Sequence, residues 1–140
     1  MNNLVVAHFL DGRILKGNSL DVDANKPVCH IRPPEGKAEE VKLAKLKALF
    51  FVRSLEGNAK HEEAGDVESG DLRVAGSAPI SCRFSDGEVI NGLTNRFPPI
   101  KPFFFLVPVD TRSNNIRILV NRSAVMKMEN RHIAKQPASK

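Results

Sequence analysis

Residues 9–17 read FLDGRILKG and residues 84–92 read FSDGEVING. Laid over each other at a shift of 75 residues, Phe9 meets Phe84, Asp11-Gly12 meets Asp86-Gly87, and Gly17 meets Gly92. Without a gap, Pro27 then meets Pro102 and Pro33 meets Pro108. Apolar character recurs at Val5/Ile80, Ile14/Val89, Leu15/Ile90, Val41/Ile116 and Leu43/Ile118. Turn residues and apolar positions rarely recur together over so long a stretch. Residues 3–53 and 78–129 therefore read as two copies of one unit.

Each copy punctuates itself as strands. LVVAHF and APISCRF run into Asp-Gly, which suits the positive φ of a two-residue type I′ hairpin. The second strands, RILKGNSL and EVINGLTN, contain a glycine that marks a bulge or bend. The third, VCHIR or FFFLV, lies between prolines. VKLAK or IRILV follows as the fourth, and KALFFV or AVMKME as the fifth. A helix competes over 37–52, KAEEVKLAKLKALFFV, because its residues are helix formers. Its counterpart SNNIRILVNRSAVMKM is rich in β-branched residues and Asn, which favours strand.

The expected fold is all-β: two tandem five-stranded small barrels of SH3 or Sm type, packed as a pseudo-symmetric pair. Closure is the motive, since so small a sheet hides its edges only by curling onto itself. Pairing is the second motive, since a unit of roughly 50 residues buries little of its surface. The domain reading is residues 1–53 for the N-terminal barrel and 78–129 for the C-terminal one. Between them, 54–77 is acidic and Gly-rich and reads as a flexible linker; 130–140 reads as a basic, frayed tail.

The 140-residue chain has 21 Lys+Arg against 16 Asp+Glu, a formal charge of +5 that favours an anionic partner. The N-terminus lacks the pattern of a signal peptide, and no apolar run approaches the roughly 18 residues that span a bilayer. The cytoplasm is the expected location, with no membrane partner. Cys29 and Cys82 fall in strand-like segments without CxxC spacing and read as buried, reduced thiols.

His8, His30, His61 and His132 lack metal-ligand spacing, so no metal is expected, and no cofactor either. There is no GxSxG, P-loop or GxGxxG motif, and Asp11 and Asp86 are accounted for by their turns. A non-enzyme is expected. What remains is cations and amides at equivalent loops: Asn95, Arg96, Arg112, Ser113, Asn114, Asn115, Arg117, Arg122 and Ser123 in the second copy. Lys26, Arg32, Lys37 and Lys42 take comparable places in the first. Arg grips phosphate bidentately and Asn reads base edges, so these are the candidate ligand residues. Of Phe103, Phe104 and Phe105 on one strand, at least one points away from the core, to cover the seam between the copies or to stack a base.

The phrases DGRILKG, LKALFFVRSLEGN, SDGEVINGLT and PFFFLVPVDTRSNN resemble an uncharacterised family of small bacterial β-barrel proteins. Such domains can accompany the PilZ domain, a β-barrel receptor for cyclic di-GMP, and the resemblance implies a role in second-messenger signalling. PilZ receptors carry RxxxR and (D/N)xSxxG motifs. Here Arg112 and Arg117 stand one residue wider apart, and NRSAVM places Met126 where that glycine would be. The expected function is a non-enzymatic regulatory protein that binds a cyclic dinucleotide or other nucleotide and acts through a partner protein. A homodimer would also suit a symmetric ligand. RNA or DNA binding, and a protein-interaction module, are the rival expectations.

Overall fold

The computed structural model describes residues 3–57, 63–65, 73 and 76–130. The first half forms β1 (Leu4–Phe9), β2 (Ile14–Asn18), β3 (Val28–Ile31), β4 (Glu39–Lys42) and β5 (Leu46–Val52). The second forms β6 (Ala78–Phe84), β7 (Val89–Thr94), β8 (Phe103–Pro108), β9 (Asn115–Asn121) and β10 (Val125–Asn130). A single 3₁₀ turn, Leu43–Lys45 or Arg122–Ala124, precedes the last strand of each half. The competing helix over 37–52 is not formed: that stretch holds β4, the 3₁₀ turn and β5. The reason is burial. Every residue of β5 is buried, and a strand alternately facing two cores satisfies that where a one-faced helix could not.

The fold is all-β, but the closed barrels expected from the sequence are absent among the described residues. Eight strands lie in one sheet in the order β10-β6-β7-β8-β9-β5-β1-β2, and β3 and β4 pair separately. One bridge, Asn18 with Arg32, ties β3 to β2. The edges expected to be hidden by closure are hidden by sharing. β5 of the first half pairs antiparallel with β9 of the second, Phe50 opposite Ile118 and Leu49 opposite Leu119.

The internal repeat extends to the register. Val5 sits opposite Gly17, and Ile80 opposite Gly92. Cys29 sits opposite Val41, and Phe104 opposite Val120. The third strands therefore keep the shift of 75 (104 − 29), while the fourth strands are shifted by 79 (120 − 41). The gapless pairing of Val41 with Ile116 and Leu43 with Ile118 is corrected accordingly: the β8–β9 turn is four residues longer than the β3–β4 turn. The shift of 79 carries through the fifth strands, down to a bulge. Lys47 is skipped where β5 meets β1, and Met126 where β10 meets β6.

The Asp-Gly turns also differ from the expected type I′. Only the glycines have positive φ, Gly12 at 95° and Gly87 at 93°. Gly12 N–H donates to Phe9 O, and Phe9 N–H donates to Arg13 O; Phe84, Gly87 and Glu88 repeat the pattern. This is a three-residue loop with a glycine bulge, closed by Asp11 and Asp86 accepting the N–H two residues on. Gly17 and Gly92 mark a close approach of the second strand to the third. A Cβ on Gly17 would lie 2.2 Å from Arg32 O, and one on Gly92 would lie 3.0 Å from Val107 O.

The two cores back onto opposite faces of the shared strands. Ala48, Phe50 and Val52 of β5 join Ile80, Cys82, Phe84, Phe104, Leu106, Ile118 and Val120 in the C-terminal core. Leu49 and Phe51 join Val5, Ala7, Cys29, Ile31, Val41 and Leu43 in the N-terminal core, with Leu119 reaching in from β9. The phenylalanine run divides the same way: Phe104 goes to its own core, and Phe103 and Phe105 pack against the N-terminal one.

Candidate functional site

The β7–β8 connection, residues 95–102, crosses the end of the sheet through three prolines and a cis Phe97–Pro98 bond. Because Phe103 and Phe105 must face the first half, this loop and that face enclose a groove. One cavity of about 300 Å³ is lined by Ala24, Asn95, Arg96, Ile100, Lys101 and the Phe103–Phe105 strand, among others. Another of about 530 Å³ is lined by Ala44, Pro102, Asn121, Arg122 and Ser123, and shares Ile100 and Phe103 with the first. Both volumes lie in the range of small-molecule sites.

Four of the expected ligand residues meet here: Asn95, Arg96, Arg122 and Ser123. Arg122 is anchored by donation from Nε to Pro99 O at 2.9 Å and from its N–H to Pro102 O at 2.8 Å. Ser123 donates to Asn121 Oδ1 from both N–H and Oγ, and buried Asn121 donates from Nδ2 to Leu46 O on β5. Arg122 and Ser123 are thus fixed to the seam between the halves. Lys101 and Ile100 complete the lining. Sequence reading passed them over; a lysine and an isoleucine among prolines in a β7–β8 loop was the available signal.

The other expected residues lie apart from that groove. Asn114 clips the β8–β9 turn to the end of β5: its Oδ1 accepts Ser54 N–H at 3.1 Å, and its Nδ2 donates to Ser54 O at 3.0 Å. Ser113 is buried and accepts Asn115 N–H, and Asn115 is opposite Val52 in the sheet. Arg112 is exposed, its N–H held by Asp110. Arg117 spreads over two rings, 4.2 Å from the Phe51 centroid and 4.7 Å from that of Phe105, and so touches a ring that lines the groove. Arg32, Lys26, Lys37 and Lys42 are exposed on the first half.

A third cavity, of about 600 Å³, lies on the first half, lined by Asn18, Leu20, Asp21, His30, Arg32 and Ala38. Asp21 organises it. Its Oδ1 accepts Ser19 Oγ–H and His30 N–H, and its Oδ2 lies 2.7 Å from His30 Nδ1. Burial pushes the Asp21 carboxyl up, but these hydrogen bonds together hold it below the ordinary carboxylate range.

Cys29, Cys82 and Lys47 have structural places. Cys29 and Cys82 are free and buried, and burial pushes both thiols up to about 11, away from reactivity. Lys47 crosses the seam from β5 to meet Asp86 Oδ2 at 2.7 Å and Glu88 Oε1, with Phe84 beneath it. Among the described residues no three His, Cys, Asp or Glu side chains gather as a metal would need. No described helix is long and apolar enough to cross a membrane. His61 and His132, most of residues 54–77, and residues 131–140 of the tail lie outside the described residues.

Residues 1–130 match a family described as a family of unknown function, DUF6982. The chain belongs to that family. No curated protein and no solved structure matches it. The family match spans both halves and the connection between them, so the duplicated pair is the unit that the family describes.

Proposed function

We propose that this DUF6982 protein is a non-enzymatic binding protein that takes an anionic ligand with a flat apolar part, a nucleotide such as a cyclic dinucleotide, in the groove beside β8. Each half is read as a small SH3- or Sm-type unit opened out to share an edge. The observation that carries the proposal is the placement of Arg96, Lys101 and Arg122 around Phe103 and Ile100 in two adjoining cavities. Guanidinium groups fork onto phosphate, while the apolar wall receives a base. The signal then passes to a partner protein, which the resemblance to PilZ-associated domains suggests. Binding is compact, so its salt dependence is shallow; a steep loss over many phosphates would instead indicate RNA or DNA.

A thermal-shift screen against mononucleotides, cyclic dinucleotides and oligonucleotides tests this. A ligand at 100 times its Kd adds about 2.7 kcal/mol of stability. The expected result is a shift that disappears in Arg96→Ala/Arg122→Ala. No shift with any of these ligands ends the proposal. The outer strands β4 and β10, each paired on one side only, support the rival reading, a module that docks an extended peptide on a sheet edge.

A further inference from the structure

The cavity on the first half and the groove on the second occupy equivalent places. At the shift of 75, Asp21 corresponds to Arg96, His30 to Phe105, Arg32 to Val107, and Ser19 to Thr94. Leu20, Asp21 and His30 line the one and their counterparts Asn95, Arg96 and Phe105 line the other, with the chemistry exchanged. In the second half the other half's residues, including Ala24, close over that face. In the first half nothing described closes over it, and Leu20 stands 83% exposed at its rim.

What fills the first-half cavity is a fixed imidazole beside a cation without an acidic partner. A loop tether would need only Asp21 Oδ1, which already accepts Ser19 Oγ–H and His30 N–H. Oδ2 does something further: at 2.7 Å from Nδ1 it orients the ring. The ionised carboxylate accepts, so Nδ1 carries the hydrogen and Nε2 is left for another partner. Two residues on from His30 and just past the end of β3, Arg32 presents a guanidinium that makes no ion pair among the described residues, and both line the cavity. Asn18 and Leu20 supply an amide and an apolar lip.

We propose that this cavity is a second, separate ligand site, which takes the oxyanion of a small phosphate or carboxylate compound. Arg32 grips two oxygens, His30 Nε2 meets the ligand's hydroxyl or protonated oxygen, and Asp21 is a positioning residue for the ring. The chain then carries two diverged copies of one binding place.

The test is titration of the full chain with inorganic phosphate and, separately, with acetate, following the side-chain ¹⁵N and ¹H resonances of His30. A saturable shift is expected with at least one of the two, and which one names the source of the oxyanion. Arg32→Gln should weaken it about tenfold or more, the loss of a charge-assisted pair. Asp21→Asn should change the ring's tautomer signature as well as the affinity, which a merely structural loop contact would not do. Arg96→Ala/Arg122→Ala should leave this titration unchanged, so failure of the groove beside β8 and failure of this site are separable. No saturable shift with either anion, or a shift that persists in Arg32→Gln with a native amide spectrum, overturns the proposal.

Discussion

The seam between the halves and the two outer edges of the molecule are built from equivalent strands with opposite chemistry. At the seam, β5 presents Ala48 and Phe50 toward the second core, and β9 brings Ile118 and Leu119 to the pairing, all buried. The equivalents of Ala48 and Phe50 on β10 are Lys127 and Glu129, and those of Ile118 and Leu119 on β4 are Glu39 and Glu40. Lys47, which crosses the seam to Asp86 and Glu88, has Met126 as its outer counterpart. The outer charges are also engaged locally: Arg13 grips Glu39 with two bonds of 2.6 and 2.7 Å, and Lys127 meets Glu129 at 3.2 Å. A head-to-tail joint of this kind could be repeated indefinitely, since each pair leaves a fifth-strand and a fourth-strand edge free. Charge on those outer edges opposes such repetition.

Writing the outer edge's chemistry into the seam is the most damaging way to test the contrast. Leu119→Glu gives β9 the residue that β4 has, but places a carboxylate inside the N-terminal core. It should cost about 4 kcal/mol or more, a large share of a small domain's stability. Loss of the cooperative circular-dichroism melt is expected; a melt within a few degrees of wild type would show that the seam tolerates charge.

The paired glycines sharpen the comparison between halves. Gly17→Ala forces a Cβ to within 2.2 Å of a backbone oxygen and should cost about 3 kcal/mol, as tightly overpacked sites do. Gly92→Ala meets its neighbours at 3.0 Å, one of them the Leu106 side chain, and should cost about 1–2 kcal/mol. Urea midpoints in the reverse order would contradict the register.

These contrasts also locate what the sequence disclosed. Strand number, the duplication and the third-strand register were legible, because glycine, proline and Asp-Gly are constrained locally, whatever lies far away. The sharing of β5 and β9 was not. Edge pairing is decided by which apolar strand finds which, and LKALFFV satisfies a closed barrel's edge and a shared one equally. The four extra residues before Asn115 were hidden because Ile116 and Ile118 imitate the apolar pattern of Val41 and Leu43. Of the candidate site, Arg96 and Arg122 could be named from composition. That Asn114 is a clip to Ser54, and that Lys101 joins the groove, depends on contacts distant along the chain.

Lys47→Met, which copies Met126 into the seam, should have a smaller effect, about 1 kcal/mol at pH 7, since both acids are half exposed. Its signature is in pH. The Lys47 hydrogen bond holds Asp86 below the ordinary carboxylate range, so that contribution is full above the unfolded value and drains as pH falls below about 4. Burial pulls Lys47 down, but Asp86 and Glu88 together raise it, so its share is full below the unfolded value and is lost as pH climbs past about 10. In melts across pH, the variant should lose less stability than wild type at both ends. A parallel profile would show that the triad contributes nothing.

The smallest effect on stability belongs to the reverse exchange. Glu40→Leu with Glu129→Phe gives the outer edges the seam's residues and should change the melt by no more than about 0.5 kcal/mol. Light scattering should nevertheless find dimers or longer chains. A strictly monomeric double variant would mean that something other than charge caps the series.

Beyond the bulge at Lys47, β5 lines the C-terminal core with its even-numbered residues and the N-terminal core with its odd-numbered ones, and Ile118, Leu119 and Val120 of β9 divide the same way. Neither half can finish its interior before its sister arrives, and neither can melt without stripping a wall from the other. The pair therefore behaves as one cooperative body. A fragment ending after Val52 would bare Phe50 and Ala48 to water and stick to whatever it met first.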